Sequence, residues 1–296
     1  MQQESRKGQE EEVRPPRPTA PTEGMLRSIW NEFAPTFAQE ARWTDQVAHT
    51  LAAHLQLGSA QQAILEIGSG AGGGTEIICR AKPENVRVVA TDLSTEFIAI
   101  AKKRLEGKAE VEFVEANAEK LPFDDASFDR YMASFVLHLV TDPKSMLAEC
   151  KRVLQPGKGM AAFSVWGRKE HSPHFTIVPE VAKRLGIDLT QVGGAKPEMR
   201  SNFHLGDDPA ALRRMALEAG FSKAFTWYQF VPVDVTDGRG WAEKQMHCSP
   251  MIIKLMRNLP EEKAAEFKNA LADAADEFYN NGNVVGMEAL FLLALA

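Results

Sequence analysis

The chain is poor in cysteine, in clustered basic residues and in long apolar runs, and each shortage narrows what it can be. Only Cys79, Cys150 and Cys248 occur, far apart in the sequence. They form no C-x-x-C pair and no zinc spacing, so neither a disulfide framework nor a metal centre is expected. The net charge is −6 and no long Lys/Arg run is present, which argues against a general nucleic-acid or anionic-membrane surface. No apolar run reaches membrane-spanning length. The first 24 residues carry Pro15, Pro16, Pro18, Pro21 and the acid run Glu10-Glu11-Glu12, with too little apolar surface to build a core. They read as a disordered tail. They lack the apolar region of a signal peptide, and their acids do not suit a mitochondrial transit peptide. Nothing suggests an oxidising compartment, and a cytoplasmic location is the expectation.

What is present is an ordinary globular composition, 44% hydrophobic and 25% charged. The 296 residues suffice for one large α/β domain with insertions. The stretch Ile64-Leu65-Glu66-Ile67-Gly68-Ser69-Gly70-Ala71-Gly72 organises the rest. Ala63 to Ile67 reads as a buried strand, and Thr75 to Arg80 as the body of a helix. A strand, a glycine turn and a helix start make a site for a nucleotide-like ligand. The glycines let backbone approach the ligand, and the first turn of the helix offers unpaired N–H groups.

The letters admit two cofactors. Gly68, Gly70 and Gly73 satisfy G-x-G-x-x-G, and Asp92 follows at about the acid spacing of a dinucleotide site, which keeps an NAD-dependent oxidoreductase open. Glu66 favours the other reading, because an acid two residues before the first glycine faces a cationic part of a ligand. With it, the stretch resembles motif I, E/D-x-G-x-G-x-G, of class I S-adenosylmethionine-dependent methyltransferases.

A second stretch carries the resemblance further. Val111 to Val114 reads as the third strand. Asn117-Ala118-Glu119-Lys120-Leu121-Pro122-Phe123-Asp124-Asp125-Ala126-Ser127-Phe128-Asp129 then resembles the D-A-x-x-L-P-F-x-D-x-S-F-D signature of the ubiquinone-biosynthesis-type branch. In that family the first acid accepts from the adenine amino group. Asn117 stands in its place here, and its amide oxygen can still accept, without the charge. Ser134 to Pro143, with His138, looks like the family's segment after the fourth strand. Leu154 to Gly159 resembles its L-K-P-G-G turn. Trp30-x-x-x-Ala34-x-x-Phe37 looks like the family's opening helix, part of a lid over the cofactor. An aromatic stripe that only packs on the core is the alternative, and Pro35 is the expected break.

The resemblance implies a doubly wound, seven-stranded, mostly parallel Rossmann-like sheet with helical insertions. It places cofactor contacts at Glu66, Gly68, Ser69, Gly70, Asp92, Leu93, Asn117, Ala118, Ser134 and Phe135. Asp92, at the end of the second strand, would accept from the ribose hydroxyls. The implied reaction is methyl transfer by in-line displacement, with S-adenosyl-L-methionine as cofactor and S-adenosyl-L-homocysteine as product. His138 is the one candidate base, and packing beneath the adenosine is its competing role. Residues 25–57 are expected as N-terminal lid helices, and 167–208 and 236–286 as insertions on the substrate side. Trp241 and the methionines of these insertions, with Trp166 and Trp227 outside them and no charge cluster, suit a small apolar or aromatic acceptor, with no nucleic acid and no metal. His171-Ser172-Pro173-His174 reads as a solvated loop. The last segment, 286–296, fits a helix by propensity and a strand by resemblance. A cofactor-binding scaffold without catalysis is the third class of reading.

Overall fold

The computed structural model describes residues 22–40, 43–189, 203–233 and 237–296. The expected tail lies outside them apart from its last three positions. Helix α1 (Glu23–Glu40) already begins inside that tail, and it runs through Pro35 without a break. This corrects two expectations. Pro35 lies on the exposed side, where losing one backbone bond leaves the Asn31 carbonyl free to meet solvent. Helix α2 (Trp43–His54) follows and buries Val47, Ala48, Leu51 and Ala52.

The sheet is built from β1 (Ala63–Ile67), β2 (Arg87–Asp92), β3 (Glu112–Glu115), β4 (Arg130–Ser134), β5 (Met160–Trp166), β6 (Lys223–Pro232) and β7 (Gly286–Leu295). Their order is β3-β2-β1-β4-β5-β7-β6. The first five are parallel, and β7 runs antiparallel to both its neighbours. The final segment is therefore a strand. It is buried along almost its whole length, so its letters show no alternation and resemble those of a buried helix.

The connecting helices begin where local chemistry sets them. Helix α3 (Gly73–Ala81) starts at Gly72, whose φ of 83° favours glycine. Helix α4 (Thr95–Leu105) is capped by Ser94, which accepts from the Phe97 N–H. Asp142 caps α5 (Pro143–Val153) by the rule of cap then proline. Val153 and Leu147 of α5 are fully buried under the sheet. Helix α6 (Pro173–Arg184) follows β5, and α7 (Pro209–Glu218) precedes β6. Between β6 and β7 come α8 (Gly238–Cys248), α9 (Pro250–Asn258) and α10 (Glu261–Asn280). Helices α6, α8, α9 and α10 share an apolar cluster of their own, including Val181, Trp241, Leu255, Phe267 and Leu271. Its separation from the two clusters flanking the sheet makes it a helical cap.

Candidate functional site

The glycine turn sits at the C-terminal end of β1, between β2 and β4 in the sheet. Crossovers leave to opposite sides there, so this is the crevice where open α/β sheets hold ligands. Gly68, Gly70 and Gly72 all have positive φ, at 67°, 51° and 83°. The turn is tied down by backbone bonds, from the Ser69 N–H to the Thr91 carbonyl and from the Gly72 N–H to the Ser69 carbonyl, both 2.9 Å. Asp92 closes it from the side. Its Oδ2 accepts from the Gly70 N–H and its Oδ1 from the Ser94 N–H, each at 2.9 Å. Burial pushes this carboxyl up, against the backbone bonds that pull it down. Each oxygen keeps a lone pair for a further donor.

Glu66 lies elsewhere than expected. Its carboxyl turns under the first turn of α3, where Thr75 Oγ1 donates to Oε2 at 2.5 Å. A Cβ on Gly74 would collide with it, which explains the glycine at 74. Glu66 is 3% exposed, and burial pushes its pKa up to about 8. A carboxyl so placed supports the glycine loop from beneath rather than facing open space. Ser69 Oγ, by contrast, is buried in the turn with no hydrogen-bond partner. A buried orphan hydroxyl in a ligand loop marks a group that a ligand can satisfy.

Asn117 also departs from expectation. Its amide oxygen accepts from the Glu119 N–H at 2.9 Å, closing a turn on its own backbone. Its NH2 donates to Glu23 on α1 at 2.9 Å. The side turned to α1 is thus a donor, where the resemblance implies an acceptor. Ala118 beside it is buried, and the Leu93 carbonyl accepts from Arg27 at 3.2 Å. Asn31 Oδ1 accepts from Ser94 Oγ at 2.7 Å. The resemblance gave this helix as part of a lid through its aromatic residues; its polar face, Glu23, Arg27 and Asn31 at four-residue spacing, went unread.

At the end of β4, Ser134 Oγ lies 3.4 Å from Ser164 Oγ. Phe135 holds a φ of 56°, an uncommon conformation for an aromatic residue, fixed by bonds from its N–H to the Ser164 carbonyl and hydroxyl at 3.0 Å. That turn aims the next residues back over the sheet. His138 is 3% exposed, and neither ring nitrogen has a hydrogen-bond partner. Burial, and secondarily the charge of His204, lower its pKa to about 3, so it is a neutral imidazole. Its ring lies 5.2 Å from Trp166 and 6.2 Å from Phe135. Trp166 continues to Phe175 at 4.4 Å and Phe203 at 5.1 Å, and Trp43 meets Phe135 at 5.6 Å.

The His171–His174 stretch is a further correction, because it is not a solvated loop. Pro173 opens α6 and Ser172 is buried. His174 packs against Trp43 and Phe175 and accepts from Trp241 Nε1 at 3.3 Å. Burial lowers its pKa to about 4. Trp227 does not join this group; it stacks on Phe291 outside the crevice. No group of His, Cys, Asp or Glu among the described residues has the arrangement to hold a metal ion. None of the described helices is long and apolar enough to cross a membrane.

Comparison with known proteins decides between the two cofactors. Residues 65–162, which span the glycine turn, Asp92, Asn117 and His138, match the family described as a methyltransferase domain. Over residues 65–162, a third of its length, the chain is thus similar to a methyltransferase domain, which favours S-adenosylmethionine over NAD. It is 40% identical over 98 residues to a demethylmenaquinone methyltransferase of Clavibacter sepedonicus, 33% of this chain and 39% of that one. It is 29% identical over 170 residues to a ubiquinone/menaquinone biosynthesis C-methyltransferase of Cronobacter sakazakii, 54% of this chain and 66% of that one. The match thus spans less than two thirds of these relatives. In fold it is similar to phosphoethanolamine N-methyltransferase 2 of Haemonchus contortus, solved with phosphomonomethylethanolamine and S-adenosylhomocysteine. The TM-score is 0.54 at 14% identity, over 91% of this chain and 59% of that one. The residues of the methyltransferase domain suit such a cofactor: the unpartnered Ser69 hydroxyl, the glycine turn and the remaining lone pairs of Asp92 are free to meet it.

Proposed function

We propose that this protein transfers the methyl group of S-adenosylmethionine to a small, largely apolar molecule with an aromatic ring and an acidic proton, and that His138 takes that proton. The observation that carries the reading is the buried, unpartnered imidazole of His138. It stands beside Phe135 and Trp166, beyond the ends of β4 and β5, and β4 is the neighbour of the strand that carries the glycine turn. When bound, the cofactor supplies a methyl group on a positively charged sulfur. The acceptor's oxygen or carbon would bond to that methyl as the carbon–sulfur bond breaks, the electron pair being left on sulfur. His138 accepts the acceptor's proton on a free ring nitrogen.

As a neutral imidazole, His138 has a ring nitrogen able to accept a proton. A second cation beside a sulfonium in an apolar pocket is costly, so the imidazole stays neutral beforehand. It becomes an imidazolium only as the positive charge on sulfur disappears, so the buried charge moves and none is created. The aromatic walls exclude water and align a flat acceptor. A reduced quinone ring fits this description, and the names of the two sequence relatives place them in menaquinone and ubiquinone biosynthesis.

The test uses purified protein, methyl-labelled S-adenosylmethionine and a panel of hydroquinones, catechols and phenols. Label should pass to at least one of them. His138→Gln should lower kcat by about 10²–10⁴-fold while S-adenosylhomocysteine binds as before. Transfer at the wild-type rate in that variant would remove His138 from the chemistry. A melting shift with NAD and none with S-adenosylhomocysteine would return the oxidoreductase reading.

A further inference from the structure

We propose that Glu23, on α1 and outside the methyltransferase match, reads the adenine of the cofactor together with Asn117. The inference rests on the cofactor being S-adenosylmethionine.

Two partners fix the orientation of Asn117. The Glu119 N–H can only donate, so it meets the amide oxygen; the Glu23 carboxylate can only accept, so it meets the NH2. Hydrogen bonds from Asn117 and Arg27 hold the Glu23 carboxyl below its usual range, so it is ionised at neutral pH. The free side of Asn117 therefore offers hydrogen and no lone pair. The edge of adenine that carries the amino group presents an acceptor, the ring nitrogen N1, beside a donor, the amino group itself. The Asn117 NH2 answers the ring nitrogen. The amino group then needs an acceptor next to that NH2, and Glu23 is the carboxylate standing there.

Each oxygen of Glu23 accepts one hydrogen bond, from Arg27 and from Asn117, and keeps a lone pair for the amino group. Arg27 takes the Leu93 carbonyl at 3.2 Å and pairs with the Glu115 carboxylate. The same guanidinium holds Glu23 at 2.8 Å, one helical turn away. Asn31, one turn further, holds Ser94. Three residues of one α1 face thus seat the helix over the ends of β2 and β3, and Glu23 is the member of that face aimed at residue 117. An aspartate at 117, as the family signature has, would set two carboxylates against each other. Asparagine at 117 and glutamate at 23 make one complementary unit.

The experiment is calorimetric titration of the full chain with S-adenosylhomocysteine and with S-inosylhomocysteine, in which a carbonyl replaces the amino group and N1 carries hydrogen. The wild type should bind the adenosine compound and bind the inosine compound at least tenfold more weakly. Glu23→Gln, which keeps the shape and can turn its own NH2 toward a carbonyl, should weaken the adenosine compound by roughly tenfold or more and lose most of the discrimination. Unchanged or tighter adenosine binding with unchanged discrimination in Glu23→Gln would overturn the proposal. So would an equal loss for both compounds, which would mean that Glu23 only docks α1. If the wild type binds neither compound, the cofactor assignment fails first and this inference with it.

Discussion

Tyr131 sits fully buried in β4 with its hydroxyl unpartnered. Its ring packs against Phe163 at 5.4 Å, and burial pushes the phenol well above its usual range. A buried hydroxyl that finds no partner loses its water without compensation, at about 1–3 kcal/mol. Tyr131→Phe keeps the ring and removes the orphan. It should raise the urea midpoint without changing the slope of the transition, by about 1 kcal/mol in stability; a clear fall would show that the hydroxyl has a partner in solution. Among the described residues Ser69 and His138 are the other orphans, Ser69 in the glycine turn and His138 beyond the end of β4. At this scale the sequence was legible where the determinants are local. Asp92 could be placed because its partners, Gly70 and Ser94, lie within one strand–turn–helix unit of it. Asn117 could not be oriented, because Glu23, which fixes its NH2, is 94 residues away.

Among the elements, α1 is the instructive case. Interior proline costs a helix about 3 kcal/mol relative to alanine, yet α1 runs through Pro35. Its tertiary contacts offset that cost. The aromatic side runs from Trp30 to Phe33 at 5.9 Å, to Phe37 at 5.3 Å and on to Phe97 of α4 at 5.6 Å, while Glu23, Arg27 and Asn31 hold the other side. Pro35 is exposed, so Pro35→Ala restores a donor to the Asn31 carbonyl without disturbing packing. It should raise the melting temperature, with about 1–3 kcal/mol recovered. No change would mean that α1 is undocked in solution and that its contacts do not contribute to the folded state. Element boundaries were legible where a cap and a period agree, as at Asp142-Pro143 or Ser249-Pro250. They were not legible in β7. Burial on both faces removes its periodicity, and resemblance alone separated strand from helix.

Across the whole molecule, three of the described residues, Glu66, His138 and His174, carry shifts that oppose one another along the pH axis. Glu66 is raised from 4.5 to about 8. The folded chain therefore keeps a proton that the unfolded chain releases, and this contribution is complete below pH 4.5 and lost as pH rises through 8. His138 and His174 are lowered from 6.5 to about 3 and about 4. The unfolded chain binds their protons first, so their contribution is complete above pH 6.5 and is lost as pH falls toward those values. Two histidines outweigh one carboxyl between pH 4.5 and 6.5, and Glu66 alone acts above. From these groups, stability should peak at about pH 6.5, falling on the alkaline side through Glu66 and on the acid side through the histidines. Glu66 lies beneath the glycine loop and the two histidines among the aromatic residues beyond β4 and β5, so the carboxyl and histidine effects should separate. Glu66→Gln keeps the hydrogen bond with Thr75 possible and removes the titration. Urea melts between pH 5 and 9 should then show a flatter alkaline limb, a maximum moved upward and a steeper acid limb, because Glu66 no longer opposes the histidines below pH 6.5. An alkaline limb as steep as in the wild type would place a charged Glu66 in the folded protein, which would need a cation beside it and would restore the expected role of that acid toward the ligand.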